Sequence, residues 1–134
     1  MFDTSFFIVS ADKPGTSGLA RSHQLWNMLE AAGLKVQGVY TMRAGEHERG
    51  ILVSPGVHTM EEVRKIVTTA AQNFEQRSFL EVNQTGHTWD ISPYSKQERF
   101  LGKSVVVDRL PEEAIQYTSL SNGKFIVLER DVQQ

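Results

Sequence analysis

The sequence predicts an α+β protein of ferredoxin-like topology: a split β-α-β antiparallel sheet with two helices on one face, extended by C-terminal strands. Three observations carry that prediction. Residues 6–11, apolar but for Ser10, and residues 51–53 are short apolar runs, which suit central strands covered on both faces. Two longer segments place apolar residues at helical spacing. The resulting order through residue 83 is strand, helix, strand, strand, helix, strand.

Each element has its own local reason. The first strand takes residues 6–11, and the polar, Gly- and Pro-containing stretch 12–18 is a loop by composition. Leu25, Trp26, Leu29 and Ala32 then share one helical stripe that stops at Gly33, so a first helix is expected from Ser17 or Gly18 to Ala32. Residues 35–42 alternate, with Val36, Gly38, Tyr40 and Met42 on one side and Lys35, Gln37, Val39 and Thr41 on the other, the pattern of a half-exposed edge strand. The third strand, residues 51–53, is closed by the turn Ser54-Pro55-Gly56. Thr59 and Glu62 have the spacing of a capping box, and Met60, Val63, Ile66, Val67, Ala70, Ala71 and Phe74 form the stripe of a second helix reaching about Phe74. Residues 78–83 read as the fourth strand. In the tail, residues 88–92 pair back through a turn at Thr85-Gly86, residues 103–107 suit a strand, and Asn122-Gly123 is a hairpin signal before residues 125–128. A single domain is expected over residues 1–134, with 1–83 as the βαββαβ core and 84–134 as a strand extension that widens the sheet or reaches a neighbouring subunit.

Composition narrows the function classes. A chain of 134 residues can bury a core without a staple, and 14 Lys and Arg against 16 Asp and Glu, scattered along the chain, give no basic stripe for nucleic acid. With no cysteine there is neither a disulfide nor a thiolate nucleophile, and the four histidines lack the spacing of a metal-ligand set. The N-terminal segment has no basic n-region, and its apolar run is too short for a signal peptide or a membrane span. A cytoplasmic protein with no membrane partner is the expectation.

Topology then points to one edge of the sheet. With strands one and two running up and strands three and four down, the loop after strand one, the loop from Tyr40 to Glu48 and the junction at Glu75-Gln76 meet at the same end. Tyr40 leaves strand two and Glu48 enters strand three, so register decides whether they share a face. On composition alone, Tyr40 is an ordinary strand aromatic and Glu48 a solvated loop carboxylate.

A wider pattern lifts both above that reading. Val9-Ser10-Ala11, Arg21 ahead of Leu29-Glu30-Ala31-Ala32-Gly33-Leu34, Gly38-Val39-Tyr40, Glu48-Arg49, Phe74-Glu75-Gln76 and Thr85-Gly86-His87-Thr88 together resemble the S-adenosylmethionine lyases of T7-like bacteriophages, formerly called hydrolases. The similarity spans residues 5 to 90 as scattered identities. It implies cleavage of S-adenosylmethionine to 5′-methylthioadenosine and homoserine lactone without metal or organic cofactor. It also implies a homotrimer with active sites between subunits, encoded by a phage, acting in the host cytoplasm and depleting the methyl donor of restriction-modification enzymes. The family's tyrosine falls on Tyr40 and its glutamate on Glu48. The intervening loop is shorter here, so Glu46 competes with Glu48 for the role. Ser10, Ala11, Arg21, Glu46 and Gln76, on the converging loops, are the candidate substrate-binding residues, with Ser10 and Ala11 offering backbone groups to the adenine.

Such chemistry asks little of a protein. The substrate holds both its electrophile, the carbon beside the sulfonium, and its nucleophile, its own carboxylate, so the enzyme's task is to fold the substrate and exclude water. Glu48 would bind the ammonium, and Tyr40 would position the chain by hydrogen bond or by its ring face near the sulfonium. The competing readings are a non-catalytic ferredoxin-like binding module and a protein that blocks a host enzyme by contact.

Overall fold

The strand β1 (Phe6–Val9) is buried at all four positions, and two separate apolar clusters do the burying. Phe7 and Val9 point into a core shared with Leu25 and Leu29 of helix α1 (Leu19–Ala31) and with Val63 and Val67 of helix α2 (Met60–Asn73). Phe6 and Ile8 point the other way, into a cluster with Val39, Leu80, Val82 and Ile126. The computed structural model, which describes residues 2–13, 19–43 and 45–132, shows what that second cluster is. It is the lumen of a barrel.

Among the described residues there are eight strands and two α-helices. After β1 come β2 (Lys35–Arg43), β3 (Glu46–Ser54), β4 (Phe79–Val82), β5 (His87–Ile91), β6 (Glu98–Val107), β7 (Tyr117–Ser119) and β8 (Phe125–Leu128). They pair antiparallel in the closed order β1-β3-β2-β7-β8-β6-β5-β4, with β4 returning to β1. The element order through β4 is the one the hydrophobic pattern predicts. The ferredoxin-like sheet is not. The half-exposed strand assigned to an edge, β2, pairs with β3 on one side and with β7 on the other, and its Val39 and Thr41 are buried because they face the lumen. The C-terminal strands are not an extension of an open sheet but the half of the ring that closes it, so both faces of β1 are covered by different means. No described helix is long and apolar enough to cross a membrane.

Closure is made by β6. Its first half, from Glu98 to Lys103, pairs with β5, and its second half, from Ser104 to Val107, pairs with β8. Near the end of the first half Gly102 adopts φ of 131°, and the β5–β6 register shifts between Thr88 and Trp89. A bulge that bends one strand lets it belong to two sides of a barrel. Gly86 completes the joint: its carbonyl accepts from the Ser104 N–H at 2.7 Å and from the Thr88 hydroxyl at 2.9 Å, while Thr88 and Ser104 share a buried 2.6 Å hydroxyl contact.

The helices cover one side of the ring. The capping box at α2 is formed as predicted, with the Thr59 hydroxyl accepting from the Glu62 N–H at 3.2 Å and the Glu62 carboxylate accepting from the Thr59 N–H at 3.0 Å. Arg64 donates twice to Glu81 at 2.8 Å, a two-pronged clip of α2 onto β4. Helix α1 starts at Leu19; the starts expected at Ser17 or Gly18 lie outside the described residues.

Gly86 adopts φ of 96°, and a Cβ there would collide with the Ser104 carbonyl. Gly86→Ala therefore opens the barrel's joint, and the expected loss in urea unfolding is about 2 kcal/mol or more.

Candidate active site

At one rim of the barrel the end of β1, the β2–β3 hairpin and the junction from α2 to β4 come together, and hydrogen bonds among them are nearly all accounted for. Ser10 donates its hydroxyl to the Arg49 carbonyl at 2.7 Å and accepts from the Asp12 N–H at 3.0 Å. Asp12 Oδ2 accepts from the Arg49 N–H at 2.8 Å, so these two side chains continue the β1–β3 ladder past the last backbone pair. Arg21 donates Nε to the Ala11 carbonyl at 2.7 Å and Nη2 to the Phe74 carbonyl at 2.6 Å, with its guanidinium over the Phe74 ring. Buried Gln76 donates to the carbonyls of Asp12 and Phe74 at 2.9 and 3.1 Å. The predicted site residues Ser10, Ala11, Arg21 and Gln76 thus meet at this rim, where their polar groups hold three segments in fixed relation.

The cavity at this rim has a volume of about 310 Å³, and of those four residues only Gln76 lines it. Four carboxylates, Asp12, Glu46, Glu48 and Glu75, line it against three cations, Lys13, Arg43 and Arg77. Asp12 Oδ1 is buried and has no hydrogen-bond partner among the described residues. Glu75 stands in the left-handed region at φ of 58°, at the point where the N–H groups of Glu75 and Gln76 close the end of α2 on the carbonyls of Gln72 and Ala71. A glycine is the usual occupant of that position; here a carboxylate occupies it and meets Lys13 at 3.2 Å.

Register separates Tyr40 from Glu48. Tyr40 pairs with Arg49, and Thr41 pairs with Glu48, so the tyrosine and the glutamate are one position out of step and project from opposite faces. Glu48 shares the lumen face with buried Thr41 and lines the cavity. Tyr40 is 58% exposed on the outer face and does not line it. The stretch between them is mostly strand, since β2 runs to Arg43 and β3 begins at Glu46. Burial raises the pKa of Glu48; Arg43 opposes that shift, and Asp12 and Glu46 add to it. Glu46, paired with Arg43, is exposed on the same rim, so of the two competing carboxylates Glu48 is the one partly withdrawn from water.

Two residues at the rim escape sequence reasoning. Asp12 lies in a stretch that reads as a loop, and its partner Arg49 comes from β3. Arg43 ends β2 and donates to Ser78 at 3.4 Å and to Asp90 of β5 at 3.2 Å. The only local signal for Arg43 is its phase, which matches that of Val39 and Thr41. Among the described residues no group of three or more His, Cys, Asp or Glu is placed to hold a metal ion.

The model of the S-adenosylmethionine lyase family matches residues 8–129 of the chain, a span that takes in all eight strands but the first two residues of β1. The chain belongs to the S-adenosylmethionine lyase family. It is an enzyme that acts on S-adenosylmethionine, and the match extends well past the residues whose pattern first suggested it. No curated protein matches the chain. The acid-rich cavity suits such a substrate, which carries a sulfonium and an ammonium against one carboxylate.

Two stability tests follow for this lyase. Glu75→Gly should raise the unfolding free energy by about 0.5–1 kcal/mol, because relief of the left-handed backbone outweighs loss of a solvent-exposed ion pair. Glu48 has a folded pKa above its unfolded one, so its charged form destabilises the fold, and stability falls as pH rises through the folded pKa. Glu48→Gln should therefore melt higher than the wild type at neutral pH and lose that advantage in acid below the ordinary carboxylate range.

Proposed function

We propose that this enzyme cleaves S-adenosylmethionine by intramolecular attack. A carboxylate oxygen of the substrate bonds to the carbon next to the sulfonium, the carbon–sulfur bond breaks, and its electron pair stays on sulfur. The products are 5′-methylthioadenosine and homoserine lactone, with no water consumed and no proton transferred. The observation that carries this reading is Glu48, a half-buried carboxylate at the lumen end of an acid-rich cavity, in a chain of this family. In its charged form Glu48 accepts from the substrate ammonium and turns the substrate's own carboxylate toward its target, an orienting role rather than a chemical one.

Tyr40 completes the site of a neighbouring copy. Its outward face and 58% exposure put it beyond reach of its own chain's cavity, which favours a homotrimer with sites formed between subunits. Consumption of the methyl donor in a host cytoplasm, countering restriction and modification, is the biological role this reading supports.

Incubation in heavy-oxygen water tests the reaction: lactone free of label supports intramolecular attack, whereas label in the side-chain hydroxyl of homoserine means direct hydrolysis and overturns it. Subunit mixing tests the site. Glu48→Gln should cut kcat/KM by about 100-fold, the loss of one charge-assisted contact of about 2–3 kcal/mol. Mixed with Tyr40→Phe by reversible dissociation, it should recover roughly a quarter of the wild-type activity, the share of intact sites under random exchange around a ring. A mixture no more active than its components would place both residues in one chain's site.

A further inference from the structure

Arg43 borders four spaces: the acid-rich cavity, two small voids of about 30 and 20 Å³ at the lumen, the second shared with Glu48, and an outer groove shared with Asp90 and Arg99. No other described residue lines all four. Thr41 pairs with Glu48 and Arg43 with Glu46, so Arg43 and Glu48 are diagonal neighbours on the inner face of the hairpin, within reach for long side chains. The guanidinium is anchored on Ser78, at the cavity's wall, at 3.4 Å and on Asp90 of the outer groove at 3.2 Å, and Asp90 is itself held by Arg99 at 3.3 Å. An arginine gripped in this way presents a fixed charge in a fixed direction.

We propose that Arg43 is the positioning residue of this site: clamped by β5 and the start of β4, it balances the Glu48 carboxylate where the barrel lumen takes that carboxylate out of water. The inference rests on the reading that charged Glu48 receives the substrate ammonium. The ionisable groups around Glu48 are Asp12 and Lys13 from the end of β1, Arg43 from β2, Glu46 from its own strand, and Glu75 and Arg77 from the segment after α2. Burial, Asp12 and Glu46 all favour the neutral acid, and Arg43 is the neighbour that opposes them. A neutral Glu48 has no charge to offer an ammonium, so activity is lost as pH falls through its folded pKa. Without Arg43 that loss begins at higher pH.

Two measurements on Arg43→Gln, Arg43→Met and Arg43→Lys test this. Arg43→Gln retains an uncharged hydrogen-bond donor on the same face and guards against loss of fold in the Met variant. In NMR titration without substrate, the Glu48 carboxyl should titrate about one pH unit higher in the Gln and Met variants and near the wild-type value in the Lys variant. The acid limb of kcat/KM should move with it, with activity largely regained on the alkaline side, and at neutral pH KM should rise more than kcat falls. An unmoved Glu48 titration, or a loss of activity by the same factor at every pH, overturns the role of Arg43. A titration that moves while the acid limb stays fixed, or a limb that persists in Glu48→Gln, instead overturns the role given to Glu48.

Discussion

Closure of the sheet at β6 is the constraint on which the rest of this structure depends. A strand that pairs with β5 along one half and β8 along the other forces the eight described strands into a ring, and the ring gives Phe6, Ile8, Val39, Leu80, Val82 and Ile126 an interior to share. In an open sheet that row would need a second layer of helix, and the two described α-helices are already committed to the other face of β1. Closure also fixes what stands at the rim. Once β4 returns to β1 and β2 meets β7, the end of β1, the hairpin and the start of β4 have no freedom to part.

The rim is then stiffened by backbone carbonyls that need donors. Arg21 and Gln76 supply them to Ala11, Asp12 and Phe74, residues at the ends of a strand and a helix where regular pairing has run out. A buried carbonyl left unpaired costs about 1–3 kcal/mol, so these side chains are structural in the strict sense. Beside the cavity they hold its walls in place, as the proposed intramolecular attack would require of a site that works by orientation.

Sequence patterns revealed what is local. The capping box of Thr59 and Glu62 was legible because all of its atoms lie within one helical turn, and both helical stripes follow from spacing alone. Burial of β1 on two faces was legible too, but the cover on its second face was not, since apolar runs record that a side chain is buried and not by what. Strand β7, three residues from Tyr117 to Ser119, is too short to show alternation, and without it the ring cannot be inferred. The convergence of the three loop regions followed from strand directions, which survive the change from sheet to barrel. Tyr40 and Glu48 were singled out as candidates by family pattern, while their opposite faces depend on a single step of register that no residue type announces. Arg43 and Asp12 were missed because their partners, Asp90 and Arg49, come from strands brought near only by the fold.

The closed ring has a consequence for how copies of this chain can meet. An open sheet presents unpaired backbone groups along its outermost strands, and these accept any extended peptide, including a second copy or a misfolded one. Here each strand already has two neighbours, so the main chain has little left to offer. Association must be written in side chains, residue by residue, on the barrel wall that the helices leave bare. Recognition of that kind is selective about its partner and poorly suited to open-ended growth.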